Sequence, residues 1–291
     1  MKILLLGGSR FIGPKLVDQL YSENDLVVFN RGNNKFNYPK NVKYVRGDRD
    51  IPQDLKQIEN TLFDLIIDTC GYNELQIEKS ANIIANTKKY IFISSAAVYK
   101  LGKKELLTET DELEPNTAFK QYGVGKVSAE NKIKQIRNNA NLSTFILRPP
   151  YILGPNNPFN RENYFFDKLI KNEVIDIPCD DVRVSFADVD DVVKAVILFK
   201  NMAAVGINIF NIGDNKTYNF VDLTQLCAKV SGNKVKTNIN KNVEGFPFQC
   251  LPLAVNSDKL NRLTKTLPTP LEKTLFKSWE FYTQNKKKNN A

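Results

Sequence analysis

Apolar positions over the first 150 residues fall in two alternating rhythms. Short, nearly continuous apolar runs occur at Lys2–Leu6, Leu26–Phe29, Val42–Val45, Leu65–Ile67, Tyr90–Ile93 and Thr144–Leu147. Runs of that length, rich in Ile, Leu, Val and Phe, predict strands buried on both faces. Between them the spacing changes. Phe11, Ile12, Leu16, Val17 and Leu20 recur at helical intervals within Phe11–Tyr21, and helices are predicted again at Asp54–Glu59, Glu74–Asn86 and Tyr122–Arg137. Strands alternating with helices predict an α/β protein, a doubly wound parallel sheet covered by helices on both faces.

The rhythm breaks after Arg148, where Pro149, Pro150, Pro155 and Pro158 interrupt the chain. Beyond them the pattern predicts helices at Asn163–Lys171, Asp188–Phe199 and Phe220–Val230, and strands at Val174–Ile177 and Ile207–Asn211. The acidic cluster at Asp188, Asp190 and Asp191 suits a helix N-terminus. The stretch holding Pro247, Pro252, Pro268 and Pro270 is mixed. The expected organisation is a first domain over 1–150, rejoined by about 186–215, and a smaller C-terminal lobe from 151–185 and 216–285. Residues 286–291 are expected to form a frayed tail.

Composition narrows the chemistry. There is no histidine, so acid–base work near neutral pH falls to a tuned Tyr, Lys, Asp or Glu, or to a cofactor. Cys70, Cys179, Cys227 and Cys250 lie far apart with no CxxC pair, which argues against zinc and predicts reduced thiols in or near a core. The net charge of +9 attracts phosphates, but the lysines are scattered among asparagines and the only run is Lys286-Lys287-Lys288. A dedicated nucleic-acid surface is therefore disfavoured. No apolar run reaches the ~20 residues of a membrane helix. The apolar start ends at Gly7 after four residues, too short for a secretory signal, and a cytoplasmic protein is expected.

The first strand leads into Gly7-Gly8-Ser9-Arg10-Phe11-Ile12-Gly13 and then a helix. Glycines let the backbone turn tightly and approach a pyrophosphate, while the helix start supplies amide donors and a positive dipole end. Further along, Tyr122-Gly123-Val124-Gly125-Lys126 reads YxxxK. The i,i+4 spacing puts both side chains on one helix face, and an ammonium beside a phenol lowers the phenol's pKa from about 10 toward neutrality.

GGSRFIG and YxxxK, in that order and context, resemble the extended short-chain dehydrogenase family, the NAD-dependent epimerase/dehydratase-like kind with a Rossmann sheet. Gly7 and Gly13 match its GxxGxxG turn, and Arg10 replaces the middle glycine, as in an atypical subgroup. Arg10 either reaches a phosphate or points to solvent. The resemblance places Gly7, Ser9, Arg10, Phe11, Ile12 and Gly13 at the dinucleotide. At the end of the second strand, where NAD-specific folds hold an acidic residue, stand Asn30 and Arg31. An arginine can grip a 2′-phosphate, so NADP is favoured over NAD. Asp48 and Arg49 match the adenine-contacting segment, with Asp48 as amino-group acceptor or as a loop cap. Gly71 lines the pocket after the fourth strand, and Cys70 is a packing residue.

The same resemblance assigns the catalytic set. Ser94-Ser95-Ala96-Ala97-Val98-Tyr99 resembles the family's serine-ended strand followed by VY. Ser95 then aligns with the catalytic Ser/Thr and Ser94 lies against the cofactor; the alternative is that these serines tie up loop backbone. Pro149 and Ile152, between Leu147-Arg148-Pro149 and Gly154-Pro155, are expected beside the nicotinamide. Phe186–Asp191 resembles the later "hVDD" segment and Phe210–Gly213 the "YNIG" strand. The implied reaction is reversible hydride transfer on a hydroxyl or carbonyl substrate, possible nucleotide sugars included, in a cleft at the sheet's C-terminal edge beside the smaller lobe. Tyr122 moves the proton, Lys126 holds Tyr122 ionised and binds the ribose, and Ser95 orients the substrate. Ala96-Ala97 replace the Asp-Glu of 4,6-dehydratases, which disfavours that elimination. Arg161 and Arg183 are candidates for a phosphate clamp or are solvated surface arginines. Relatives dimerise through the helices matching Glu74–Asn86 and Tyr122–Arg137. Other atypical relatives with a similar glycine turn bind RNA, and a non-catalytic cofactor sensor is a third reading. The joint presence of Tyr122, Lys126 and Ser95 favours an enzyme.

Overall fold

A computed structural model describes residues 1–34, 36–102, 105–114, 119–138, 141–265 and 268–289. The chain forms two compact units, one of Met1–Lys100, Glu109–Arg148 and Val192–Asn211, the other of Leu101–Thr108, Pro149–Asp191 and Ile212–Ala291.

The first unit is a seven-stranded, wholly parallel sheet. Its strands are β1 (Lys2–Leu6), β2 (Asp25–Asn30), β3 (Lys43–Arg46), β4 (Leu65–Asp68), β5 (Lys89–Ile93), β6 (Ser143–Arg148) and β10 (Gly206–Asn211). They lie in the order β10-β6-β5-β4-β1-β2-β3. The intervening helices are α1 (Ile12–Leu20), α2 (Pro52–Glu59), α3 (Glu74–Lys79), α4 (Ala81–Ala85) and α5 (Lys120–Ile136). The apolar runs read from the sequence are the strands; the five inner ones are buried on both faces, as parallel strands covered by helices are, while the edge strands β3 and β10 are partly exposed. Leu4, Leu6, Val27, Ile66, Phe92 and Ile146 of the sheet pack with Leu55, Ile58, Ile77, Ala129 and Ile133 of the helices in one cluster. The helix predicted over Glu74–Asn86 is instead two, parted at Ser80. That hydroxyl turns back to the Gln76 carbonyl (3.0 Å) and also accepts from Arg49 (3.1 Å), a local bond that competes with helix continuation.

The second unit is built from two small parallel pairs. β7 (Tyr151–Leu153) lies beside β9 (Phe186–Asp188), and β8 (Ile175–Ile177) beside β11 (Thr237–Ile239). Helices α6 (Arg161–Ile170) and α10 (Leu271–Asn289) pack against α8 (Phe220–Ser231), α9 (Asp258–Thr264) follows Ser257, and α7 (Val189–Asn201) carries the chain back to the first unit. The Asn219 side chain accepts from the Asp222 amide and Asp222 returns the bond, a reciprocal cap that fixes where α8 starts. Phe248 packs against Tyr151 (5.0 Å), Phe220 (5.3 Å) and Phe186 (5.8 Å) in an aromatic core. Two expectations are corrected here. The tail from 286 continues α10 through Asn289, held by the Lys286–Asp167 ion pair (3.0 Å); Asn290 and Ala291 lie outside the described residues. The cysteines are not all reduced: Cys179 and Cys250 are disulfide-bonded, while Cys70 and Cys227 are free thiols. A separation of 71 residues in sequence hides a pair that the fold brings together.

Candidate active site

Strand order reverses beside β1, so the C-terminal ends of β1 and β4 flank the topological switch point where open α/β sheets bind ligands. The Gly7 amide donates to Phe29 O and the Thr69 amide to Leu6 O, both at 3.0 Å, which fixes the strand ends there. Gly7 and Gly8 then turn the chain at φ +109° and +92°. A Cβ on Gly13 would stand 2.4 Å from Gly8 Cα, so α1 can start against the turn only because residue 13 is glycine. Phe11, the N-cap, takes φ +49°, a conformation that costs a non-glycine residue about 1–3 kcal/mol. The first amides of α1 have no intrahelical acceptor. A bare backbone turn, a helix start and the exposed Arg10 beside Ser9 fit the diphosphate of a dinucleotide.

The second-strand residues divide in role. Asn30 Nδ2 donates to Gly7 O (2.7 Å) and Tyr38 Oη (2.8 Å), and Asn30 Oδ1 accepts from the Gly32 amide (2.9 Å). Its amide therefore braces the glycine turn. Arg31 is exposed, and Arg46 Nε donates to its carbonyl (3.2 Å), which puts two guanidinium groups at this edge. Asp48 Oδ1 accepts from the Asp50 amide (2.9 Å), the loop-cap arrangement. Arg49 turns inward: it is ion-paired with Asp68 (2.8 Å) and donates to Gln76 O (3.1 Å), so its guanidinium is committed to the interior. Tyr90 Oη donates to the same carboxylate (2.8 Å), and burial with that charge holds the phenol well above its ordinary value.

On α5, Tyr122 is 44% exposed and Lys126 is 2% exposed, with the ammonium 5.9 Å from the Tyr122 ring centroid. Lys126 Nζ donates to Gly71 O (2.7 Å), in the loop after β4, and to Ile93 O (2.8 Å), at the end of β5. Burial pushes its pKa down to about 8, against the pull of Asp68. A Cβ on Gly125 would lie 2.3 Å from Tyr72 O, so this glycine lets α5 approach the loop after β4. Ser95 caps the short 3-10 turn Ala96–Val98 by accepting from the Ala97 amide (3.2 Å), and its O–H can still donate. Ser94 Oγ donates to Glu130 Oε1 (2.6 Å). The other assigned residues belong to the second unit. Pro149 is buried there; Ile152 O, on β7, accepts from Asn157 Nδ2 (3.2 Å) and Arg161 Nη1 (3.4 Å). The Arg161 guanidinium lies over the rings of Phe159 (4.7 Å) and Tyr151 (5.1 Å), and the half-exposed Arg183 pairs with Asp222 (3.3 Å).

Sequence reasoning passed over Glu130, Arg148 and Tyr72. Glu130 extends the Tyr122–Lys126 stripe by another four residues, a signal that was present. Its buried carboxylate takes Arg148 Nη2 at 2.6 Å and Nε at 2.9 Å, and Arg148 Nη1 reaches Tyr99 Oη at 3.1 Å. Opposite charges at this distance out of water hold the end of β6 to the helix that carries the candidate catalytic pair.

Residues 75–213, the stretch holding Ser95, Tyr122 and Lys126, match the family model described as the NAD dependent epimerase/dehydratase family. Over a longer stretch, the chain is 27% identical over 268 residues to the chloroplast stem-loop binding protein of 41 kDa b from Arabidopsis thaliana, covering 85% of this chain and 68% of that protein. Two solved structures share its fold. The UDP-glucose 4-epimerase of Thermotoga maritima, with UDP-glucose, has a TM-score of 0.83 at 20% identity over 98% of this chain and 99% of that one. The dTDP-glucose 4,6-dehydratase of Bacillus anthracis, in complex with NAD, has a TM-score of 0.83 at 20% identity over 99% and 98%.

Proposed function

We propose that this epimerase/dehydratase-domain protein is an NAD(P)-dependent oxidoreductase or epimerase acting on a hydroxyl or carbonyl substrate of the nucleotide-sugar class. The observation that carries the reading is the Lys126 ammonium, buried 5.9 Å from the ring of a solvent-reachable Tyr122 beside the switch point of the sheet. A bound nicotinamide dinucleotide would supply the hydride acceptor and donor. The chain's own residues do the rest. Ser95 offers its O–H to the substrate oxygen. Tyr122 takes the proton from that oxygen in one direction and returns it in the other. Lys126, charged at neutral pH, favours the phenolate. Two of its three N–H donors are held by Gly71 and Ile93, leaving one for the cofactor ribose. Gly7, Gly13 and the start of α1 hold the diphosphate, and Arg31 favours a 2′-phosphate and hence NADP.

The deciding experiment is a calorimetric titration of the cofactor-free protein with NADP(H) and NAD(H), followed by turnover of nucleotide sugars. Binding of either dinucleotide supports the reading, and a folded protein that binds neither refutes it. Tyr122→Phe is expected to cut turnover about 10²-fold or more while cofactor affinity stays within a few-fold. Unchanged turnover would exclude Tyr122 as the proton carrier. A homodimer through α3 and α5 belongs to the same reading, supported by the exposed Leu75 and Val124; light scattering that finds a monomer removes it.

A second reading, binding of structured RNA, rests on the net charge of +9 and the likeness to a stem-loop binding protein. Affinity for an RNA hairpin that vanishes near physiological salt would reduce this reading to charge attraction.

A further inference from the structure

Three aromatic rings stand around the Lys126 ammonium: Phe92 at 4.7 Å, Tyr72 at 5.1 Å and Tyr122 at 5.9 Å from centroid to Nζ. They come from different elements and differ in exposure. Phe92, on β5, is fully buried. Tyr122 is the proposed acid–base group. Tyr72 comes from the loop after β4 and is 49% exposed, so its ring reaches from the ammonium to solvent. Its backbone is pinned from both sides. The Tyr72 amide donates to Gln76 Oε1 (2.8 Å), and Gly125 leaves only the room that the Tyr72 carbonyl needs. The two phenol rings lie 6.4 Å apart, and Tyr72 also feels the charges of Arg10 and Arg31.

We propose that Tyr72 is a positioning residue of the Tyr122–Lys126 pair, its ring completing an aromatic enclosure that keeps water off the Lys126 ammonium. The proposal rests on the acid–base reading above for its catalytic consequence and not for the enclosure itself. A ring near a cation acts in two opposed ways. Its face attracts the charge by about 0.5–2 kcal/mol, which favours the ammonium. Its bulk excludes water, and full burial disfavours the charge by up to about 3–5 pH units. Water exclusion by the whole enclosure, of which Tyr72 is the side toward solvent, is the larger effect, and burial is the first cause of a Lys126 pushed down to about 8. The other groups facing Lys126 are Asp68 and Cys70 at the end of β4, Arg49 after β3, and Glu130 and Tyr122 on α5.

The sign follows. Lys126 assists Tyr122 only while charged, so activity falls as pH rises through its pKa. Removing the ring admits water, favours the charged form and moves that limit upward. The test uses cofactor-free protein selectively labelled with 15N at lysine Nζ, with the Lys126 resonance assigned by loss in Lys126→Arg. Tyr72→Phe is expected to titrate like the unaltered protein, and Tyr72→Ala about one pH unit higher. An unchanged midpoint in folded Tyr72→Ala overturns the proposal; Tyr72→Ser repeats the truncation should the alanine variant unfold. The alkaline limb of kcat/KM should move by the same amount. A limb that stays in place while the Lys126 midpoint moves leaves the enclosure standing and refutes the Tyr122–Lys126 acid–base reading.

Discussion

Arg31 is where a single side chain would choose between two cofactors. Asn30 cannot do so, since its amide is spent on Gly7, Gly32 and Tyr38. Arg31 is exposed at the end of β2, with Arg46 bonded to its carbonyl. A guanidinium–phosphate hydrogen bond contributes about 1.5–3 kcal/mol, and NAD lacks the 2′-phosphate that would receive it. Arg31→Ala is therefore expected to weaken NADP(H) binding about 10-fold or more and NAD(H) binding less than about twofold. Calorimetry on the variant checks this, and equal losses would remove the argument for NADP. Arg49 shows the limit of reading residues singly. Its place in the sequence points to adenine, but its guanidinium neutralises the buried Asp68. Only the placement of β4 beside β1 reveals that carboxylate as the partner.

At the scale of elements, the Glu130–Arg148 pair joins α5 to the end of β6. Both side chains are out of water, so removing one leaves an uncompensated charge, a change that costs about 3–5 kcal/mol where buried pairs are broken. Glu130→Ala is expected to lower unfolding free energy by that amount, read by urea denaturation. A loss below about 1 kcal/mol would place the pair in the exposed class instead. The elements themselves were largely legible. The five inner strands of the parallel sheet could be read because burial on two faces leaves a run of Ile, Leu, Val and Phe, whereas the edge strands β3 and β10 are partly exposed and carried a weaker apolar signal. Of the site, the glycine turn and the Tyr122–Lys126 stripe were legible because spacing alone states them. Tyr72 was not: a tyrosine in a loop carries no periodicity, and its relation to Lys126 exists only once α5 closes over Gly125. Of the four three-residue strands, β8 was read and β7, β9 and β11 were not, since so short a stretch carries at best a weak period. The 19 residues of α10 were missed because its last turns, Lys286-Lys287-Lys288, look like a solvated tail when Asp167 is not in view.

At the scale of the whole molecule, the two units are held together internally by different means. The sheet unit has its apolar cluster and the buried Arg49–Asp68 and Glu130–Arg148 pairs. The second unit has short strands, an aromatic core around Phe248 and the Cys179–Cys250 disulfide. Cys250 follows Phe248 by two residues, so the bond ties the segment bearing that ring to the chain just after β8. Closing a loop of 71 residues restricts the unfolded chain by about 4 kcal/mol in the chain-entropy view. A reducing cytoplasm would open such a bond, so its redox state bears directly on the expectation of a cytoplasmic protein. With the bond formed, the denatured protein should present two of its four cysteines, Cys70 and Cys227, to a thiol reagent before reduction and all four after. Cys250→Ser should then lower the stability of the second unit by about 2–4 kcal/mol in oxidised protein, and reductant should bring the unaltered protein down to the variant's level. The comparison separates the covalent bond from the side chain. If reductant leaves the unaltered protein's melt in place, the second unit stands on its aromatic core alone, and the disulfide contributes nothing to its fold.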